Sequence, residues 1–226
     1  MSKNITKLPN WICKRIDEAG LERIRAAVQK AELSTSAEIV PMIVQRSSTV
    51  AHVPMSLFLL LSLIWVTAVP YLATNLAHLM TNMNIAFVEM AGLVFAFVIS
   101  VVLGQTRFAQ RIFVPKVDQI SQVDHRAELE FFESNIKTTR ESTGILIFVS
   151  LLEHRAVVLA DGPIAAKFPA ETWNEIVNGL LERVKAGDLA GGFAWAIERS
   201  GSLVAPHFPI GAGDKDELSN DLVIKF

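Results

Sequence analysis

Between Ser47 and Thr106, a run of 60 residues, the sequence holds one Asp, Glu, Lys or Arg, which is Glu89. A solvated surface cannot be built from such a stretch, so this segment must be buried in protein or in lipid. Of the 44 charged residues in the chain, the other 43 fall on the remaining 166 positions, about 26%, which is the density of an ordinary water-soluble domain. The overall 51% hydrophobic and 19% charged composition therefore averages two solvents written into one chain. Disorder, a collagen-like repeat and a disulfide scaffold are excluded on the same grounds.

Inside the charge-poor segment, Val53 to Ala73 (VPMSLFLLLSLIWVTAVPYLA) carries no formal charge. At 1.5 Å per residue, such a helix covers roughly the 30 Å hydrocarbon core of a bilayer. Ile85 to Leu103 (IAFVEMAGLVFAFVISVVL) is interrupted only by Glu89 and predicts a second span. A buried hairpin of a soluble protein is the competing account, disfavoured by two such runs joined by so short a linker. Arg46 precedes the first span, Arg107, Arg111 and Lys116 follow the second, and the connection from Thr74 to Asn84 has neither Lys nor Arg. Basic residues flanking spans stay cytoplasmic, so both termini are expected on the cytoplasmic side. Pro70 is expected to kink the exit of the first span, and Tyr71 to sit at headgroup level.

Gly92, Ala96, Ser100 and Gly104 recur every four residues and place small side chains on one face of the second span. Such a ridge lets another helix approach closely, either the first span or another subunit, with intrachain packing the plainer account. Glu89 reads as an intramembrane acid of a proton or ion path, or as an interfacial residue that snorkels to the headgroups. No second charge in either span completes a path.

Outside the spans, apolar residues from Ile12 to Ala31 recur at helical spacing and predict a helix over about Asp17 to Leu33. Ala37 to Gln45 (AEIVPMIVQ) predicts a strand, and Pro41, which lacks an N–H, suggests an edge or a bulge. After the spans, Ala127, Leu129, Phe131, Phe132 and Ile136 alternate with Asp124, Arg126, Glu128, Glu130, Glu133 and Lys137, predicting an amphipathic helix to about Arg140. Gly144 to Leu152 and Ala156 to Ala160 predict two buried strands joined by a charged turn at Glu153, His154 and Arg155. Trp173 to Val184 predicts a helix stopping at Gly187, a second helix starts at Leu189, and the chain closes in a Gly-rich acidic tail. The fold class expected is α/β, a mixed sheet layered with helices and interrupted by a two-helix transmembrane hairpin. Residues 1–50 and 107–208 supply the two parts of the domain, 51–106 the hairpin and 209–226 the tail.

Three stretches together resemble the TPM domain family, which occurs in a thylakoid lumen protein of plants, in a nematode receptor auxiliary protein and in many bacterial membrane proteins. They are TSAEIVPMIVQRS (Thr35 to Ser47), TGILIFVSLLEHRAVVLADGPI (Thr143 to Ile164) and GDLAGGFAWAIE (Gly187 to Glu198). The last is similar to the family's G-D-Y-x-x-G-L pattern before its final helix. The resemblance covers about 150 residues outside the spans and is closest to bacterial proteins with a membrane hairpin inside the domain. It implies helices on a central mixed sheet and a place in the bacterial inner membrane. For function it implies either an auxiliary factor of a membrane complex or a calcium-binding acid phosphatase. The sequence departs from the secreted relatives in lacking a signal-peptide pattern, and in having Asp161, Gly162, Pro163 and Ile164 where they often show G-x-G-L.

The best polar constellation is Glu38 at the head of the first strand, Glu153 and His154 in the hairpin turn, and Asp161 past the last strand. Carboxylates gathered at one sheet edge could hold a divalent cation such as Ca²⁺ through oxygen ligands. The plainer account makes them solvated turn residues and, for Asp161, a cap. His125 with Glu128 at i, i+3 and the lone His207 read as surface or structural histidines. The single Cys13 forms no intramolecular disulfide. Phosphate-loop, nucleophile-elbow, H-E-x-x-H and C-x-x-C patterns are absent, and a net charge of −2 disfavours nucleic acid. The sequence thus points to a non-enzymatic auxiliary or assembly factor whose partners are the lipid bilayer and a membrane protein or further copies of itself. A metal-dependent phosphatase-like hydrolase is the alternative.

Overall fold

The computed structural model describes residues 8–47, 52–75, 84–106, 115–134, 136, 143–211 and 218–225. Among these residues are eight helices and a four-stranded mixed sheet. The chain divides into two compact units, one formed by Met1–Ser47 with Ile120–Phe226 and the other by Ser48–Gln119.

In the first unit, helices α1 (Asn10–Cys13) and α2 (Glu18–Glu32) precede strand β1 (Glu38–Val44). Helix α5 (Lys116–Glu133) then leads to β2 (Gly144–Ser150) and β3 (Arg155–Ala160). Helices α6 (Gly162–Ala165), α7 (Ala170–Lys185) and α8 (Leu189–Val204) follow, and strand β4 (Val223–Lys225) comes last. The sheet order is β3-β2-β1-β4, with β1 parallel to β2 and β4 and with β2 antiparallel to β3.

Both faces of this sheet are covered, which is why β1 and β2 read as unbroken apolar runs instead of alternating ones. Ile39, Ile43, Ile145, Ile147 and Val149 point to one layer, where α2, α7 and α8 contribute Ile24, Val28, Ile176, Leu180, Phe193 and Ile197. Val40, Met42, Val44, Leu146 and Phe148 point to the other, against Val123, Ala127 and Phe131 of α5. Asp17 caps α2 by accepting from Gly20 N–H at 2.8 Å, and Asp188 caps α8 by accepting from Gly191 N–H at 2.7 Å. Between α7 and α8 the backbone turns through Gly187 at φ 91°, a left-handed conformation that favours glycine.

Three expectations are corrected. Pro41 lies in an interior strand with no bulge, its register running unbroken from Glu38↔Gly144 to Val44↔Ser150. The physical reason is the shortness of β4, which pairs only from Met42 onward. Glu38 N–H donates toward β2, to Thr143 O, so by alternation the Pro41 nitrogen faces the opposite side, at a level β4 does not reach. Next, α5 starts at Lys116 and ends at Glu133, and its buried positions are Val123, Ala127, Glu130 and Phe131, while Leu129 and Phe132 are exposed. Of the expected continuation to Arg140, Ser134 and the buried Ile136 are described and are not α-helical, and the rest lies outside the described residues. Finally, the last residues of the acidic tail are not surplus chain, because Val223–Lys225 form β4.

The second unit contains α3 (His52–Asn75) and α4 (Ile85–Gly104), both long and apolar enough by length and composition to cross a membrane. Pro70 sits inside α3, which continues past it to Asn75. Asn84 caps α4 through Ala86 N–H at 3.1 Å. The buried positions of α4 are Gly92, Ala96, Ser100 and Gly104. A Cβ on Gly92 would stand 1.8 Å from Trp65 Cε2, and one on Gly104 would stand 2.7 Å from Pro54 Cγ. Phe58 and Phe97 meet edge to face with centroids 5.7 Å apart. The small-residue ridge is therefore occupied by α3 of the same chain, as the plainer account had it.

Candidate functional site

Parallel pairing of β1 with β2 and the antiparallel return of β3 decide where the three candidate carboxylates go. Glu38 opens β1 opposite Gly144, and Asp161 follows β3 beside the same glycine, so these two flank Gly144 at one end of the sheet. Glu153 belongs to the β2–β3 turn and lies at the opposite end, where Val44 pairs with Ser150. Seven residues of strand separate the two ends, about 20 Å of rise. The trio does not converge on one point, and among the described residues no group of three or more His, Cys, Asp and Glu side chains is placed to hold a metal ion.

Each carboxylate instead has local work. Glu38 is buried and accepts Leu218 N–H at 3.3 Å, which fastens the incoming tail to the head of β1. Asp161 is buried at the start of α6 and exchanges two bonds with Gly144: its N–H donates to Gly144 O at 2.9 Å, and its Oδ2 accepts Gly144 N–H at 3.4 Å. At the other end Glu153 accepts from Ser150 Oγ in a short contact and from Ser47 N–H at 3.3 Å, while Ser47 Oγ donates to Ser150 Oγ at 2.9 Å. This Ser47–Ser150–Glu153 cluster closes the strand ends, and His154 turns the chain with φ 51°. Of the histidines, His125 stands 4.0 Å from Glu128 on an exposed helix face, and His207 packs edge-on to Phe168 at 5.3 Å.

A polar group that periodicity did not single out lies on the α5 side of the sheet. Glu130 is only 2% exposed, accepts Arg126 Nη2 at 2.7 Å and is in close contact with Lys225 Nζ of β4. The available signal was weak: Glu130 is one of seven charged residues interspersed along α5, and only the short strand that brings Lys225 across makes it different. On the other layer, Arg25 pairs with Asp221 at 2.5 Å, and this hydrogen bond raises the Arg25 guanidinium above its usual range. The tail segment is thus tied to α2, β1 and α5 by Asp221, Leu218 and Lys225.

Across the helical layer runs an open groove of about 470 Å³ bounded by Arg23, Lys30, Arg183, Asp188, Trp195 and Glu198. Its charges are partnered: Arg23 with Asp188 at 3.6 Å, Lys30 with Glu198 at 3.1 Å, and Arg183 with Gly179 O at 2.8 Å. The Arg183 guanidinium stacks 4.3 Å from the Trp195 ring centroid. Three cations and two anions line it, and the one cation without an acidic partner there, Arg183, is engaged by a backbone carbonyl and the Trp195 ring.

No family model matches the chain, and no curated protein matches it. Among solved structures it is similar to that of the BA42 protein from the psychrophilic bacterium Bizionia argentinensis, determined by NMR. The likeness has a TM-score of 0.56 at 17% identity and covers 98% of this chain and 99% of that one. At that identity it speaks for a shared fold and carries no activity with it.

Proposed function

We propose that the chain is a membrane-anchored protein of the TPM type that acts as a non-enzymatic auxiliary or assembly factor for a membrane complex. In this reading α3 and α4 hold it in the bacterial inner membrane with both termini in the cytoplasm. The observation that carries the reading is the pair of apolar helices, packed on each other through Gly92, Ala96, Ser100 and Gly104, while Leu63, Phe87, Val94, Phe95 and Val102 stay exposed. In water that outer surface would be a large aggregation liability, whereas hydrocarbon is its natural solvent. The separation of Glu38 and Asp161 from Glu153 removes the three-carboxylate site that the hydrolase alternative called for.

Because the small-residue ridge is filled from within, a partner helix would meet the outward side chains of α3 and α4. The test is retention in the membrane after alkaline carbonate, followed by purification in mild detergent of the wild type and of a Phe95→Ala, Val102→Ala variant. A stoichiometric membrane-protein partner or a homo-oligomer that the variant loses is expected. Release by carbonate, or a bare monomer in both preparations, would contradict the reading.

A calcium-dependent phosphatase-like activity is the second reading, favoured only by Glu38 and Asp161 sharing one end of the sheet. Turnover of phosphate esters that depends on Ca²⁺ and is lost in Asp161→Asn would establish it.

A further inference from the structure

The two edges of the sheet are built differently. On the β4 side several devices blunt the edge: β4 is three residues long, Pro41 of β1 has no N–H, and Ile39 N–H is taken by Glu32 Oε1 at 3.1 Å. Lys225 of β4 also turns a charge inward, to Glu130. On the other side β3 runs for six residues, Arg155–Ala160, in an unbroken register with β2 and without a bulge. It has no Pro or Lys, and its one charge, Arg155 at the first position, is paired with Asp124 at 3.5 Å. Which backbone groups of β3 face outward follows from the ladder. Asp161 N–H donates to Gly144 O at 2.9 Å, so by alternation the N–H and C=O of Leu159, Val157 and Arg155 are turned to β2 as well. Those of Ala156, Val158 and Ala160 therefore point away from the sheet, and among the described residues no hydrogen bond reaches them. Such a row of donors and acceptors is a template for one more strand.

We propose that β3 is a self-association surface, where a second copy of this chain adds its own β3 antiparallel and the two sheets become one across a twofold axis. The fit of the strand to itself decides the occupant. In the register centred on Val158, Val158 exchanges both of its bonds with the partner's Val158, and Ala156 exchanges both with the partner's Ala160. Every outward donor and acceptor is then satisfied, whereas any other antiparallel register leaves some of them unpaired. On the α5 side the half-buried Val157 and Leu159 come opposite the partner's Leu159 and the partner's Val157, so that apolar surface covers apolar surface. On the α7 side the residues flanking Val158 are alanines, which leaves little bulk beside the axis. Arg155 and the partner's Arg155 fall at opposite ends of the pair, about 20 Å apart, so the like charges do not meet. The interface lies within the first unit and needs nothing from the reading of α3 and α4 as spans.

The experiment uses the full chain in mild detergent. Val157→Cys and Leu159→Cys proteins, each in the Cys13→Ser background and carrying different tags, are mixed and oxidised. Facing positions in a pair not joined by hydrogen bonds have Cα atoms about 4.5 Å apart, within reach of a disulfide, so the mixture should yield a product joining one variant to the other. Either variant alone should yield little, because like positions are then diagonal, about 7–8 Å apart. Sedimentation of the wild type should show a mass that rises with concentration to that of a dimer. Val158→Pro removes an outward donor that the β2 ladder does not use, twice over by symmetry, and should weaken the dimer about 25-fold at roughly fivefold per bond. Leu159→Lys, which sets a charge against the partner's Val157, should weaken it as well, and circular dichroism should show wild-type helix content in both variants. A wild type that sediments as a monomer at every concentration, a dimer that both variants retain, or products from the single variants as fast as from the mixture overturns the interface. A homo-oligomer lost in the Phe95→Ala, Val102→Ala variant and kept in Val158→Pro also overturns it, while leaving the membrane reading in place.

Discussion

Glu130 offers the sharpest test of how the soluble unit is held together. Its carboxylate is almost fully enclosed, and its two partners, Arg126 and Lys225, have side chains 35% exposed. Breaking a fully buried ion pair from one side costs about 3–5 kcal/mol, and an exposed pair is worth about 0.2–1, so two cations about one-third exposed place Glu130→Ala at roughly 2 kcal/mol. For a unit of this size, about 2–4 °C of melting temperature accompany each kcal/mol, so a fall of roughly 4–8 °C is expected. The cost should concentrate on β4, since Lys225 is the side chain of that strand that reaches this carboxylate. Amide exchange at Ile224 should therefore accelerate more than at Ile147 in the middle of β2. The assay is thermal unfolding of the full chain in detergent, followed by circular dichroism, with exchange read by mass spectrometry. Replacing Glu130 and Lys225 together by Met should recover most of the loss, because apolar groups of similar volume can take the place of a buried pair. A Glu130→Ala protein melting within about 1 °C of wild type, or a double variant worse than the single one, would refute the reasoning.

Three further outcomes follow from the same structure. Gly92→Leu forces a side chain into the space of the Trp65 ring, an overpacking that costs about 1–3 kcal/mol. In a Cys13→Ser background carrying Phe58→Cys and Phe97→Cys, a disulfide between the two introduced thiols should form readily, and adding Gly92→Leu should abolish it. Asp188→Ala removes the cap of α8 and should cost about 1 kcal/mol, seen as a melting temperature lower by about 2–4 °C. Glu153→Ala and Asp161→Ala, at opposite ends of the sheet, should add within about 0.5 kcal/mol with or without Ca²⁺, whereas coupling beyond that would mean that they share a cation.

What the sequence made legible was whatever periodicity or composition controls locally. The two long apolar helices, the helices over Glu18–Glu32 and Ala170–Lys185, and the β2–β3 hairpin lie within a few residues of their expected places. The unbroken apolar run at β2 correctly signalled a buried strand, whereas β3, expected to be buried as well, is half-buried along most of its length because it is the edge of the sheet. Non-local facts were hidden. Pro41 looked like an edge residue because nothing in the sequence shows that the neighbouring strand is three residues long. Glu130 looked solvated because only β4, formed by a segment that reads as acidic tail, turns its surroundings inward. Likewise, Glu38, Glu153 and Asp161 formed a set on paper, and strand direction alone sends Glu153 to the far end. The ridge on α4 was visible as a spacing, but its partner became clear only with Trp65 and Pro54 against Gly92 and Gly104.

The central proposal is that the two apolar helices form a membrane hairpin interrupting one α/β domain, which would put both flanks of the hairpin on one side of the bilayer and the connection between the helices on the other. Labelling by a membrane-impermeant maleimide tests this most directly, comparing the native Cys13 with a cysteine introduced as Asn82→Cys in the Cys13→Ser protein. In intact spheroplasts the tip cysteine should react and Cys13 should react only after permeabilisation. Reaction of Cys13 from outside, or equal reaction of both positions without permeabilisation, would contradict the account.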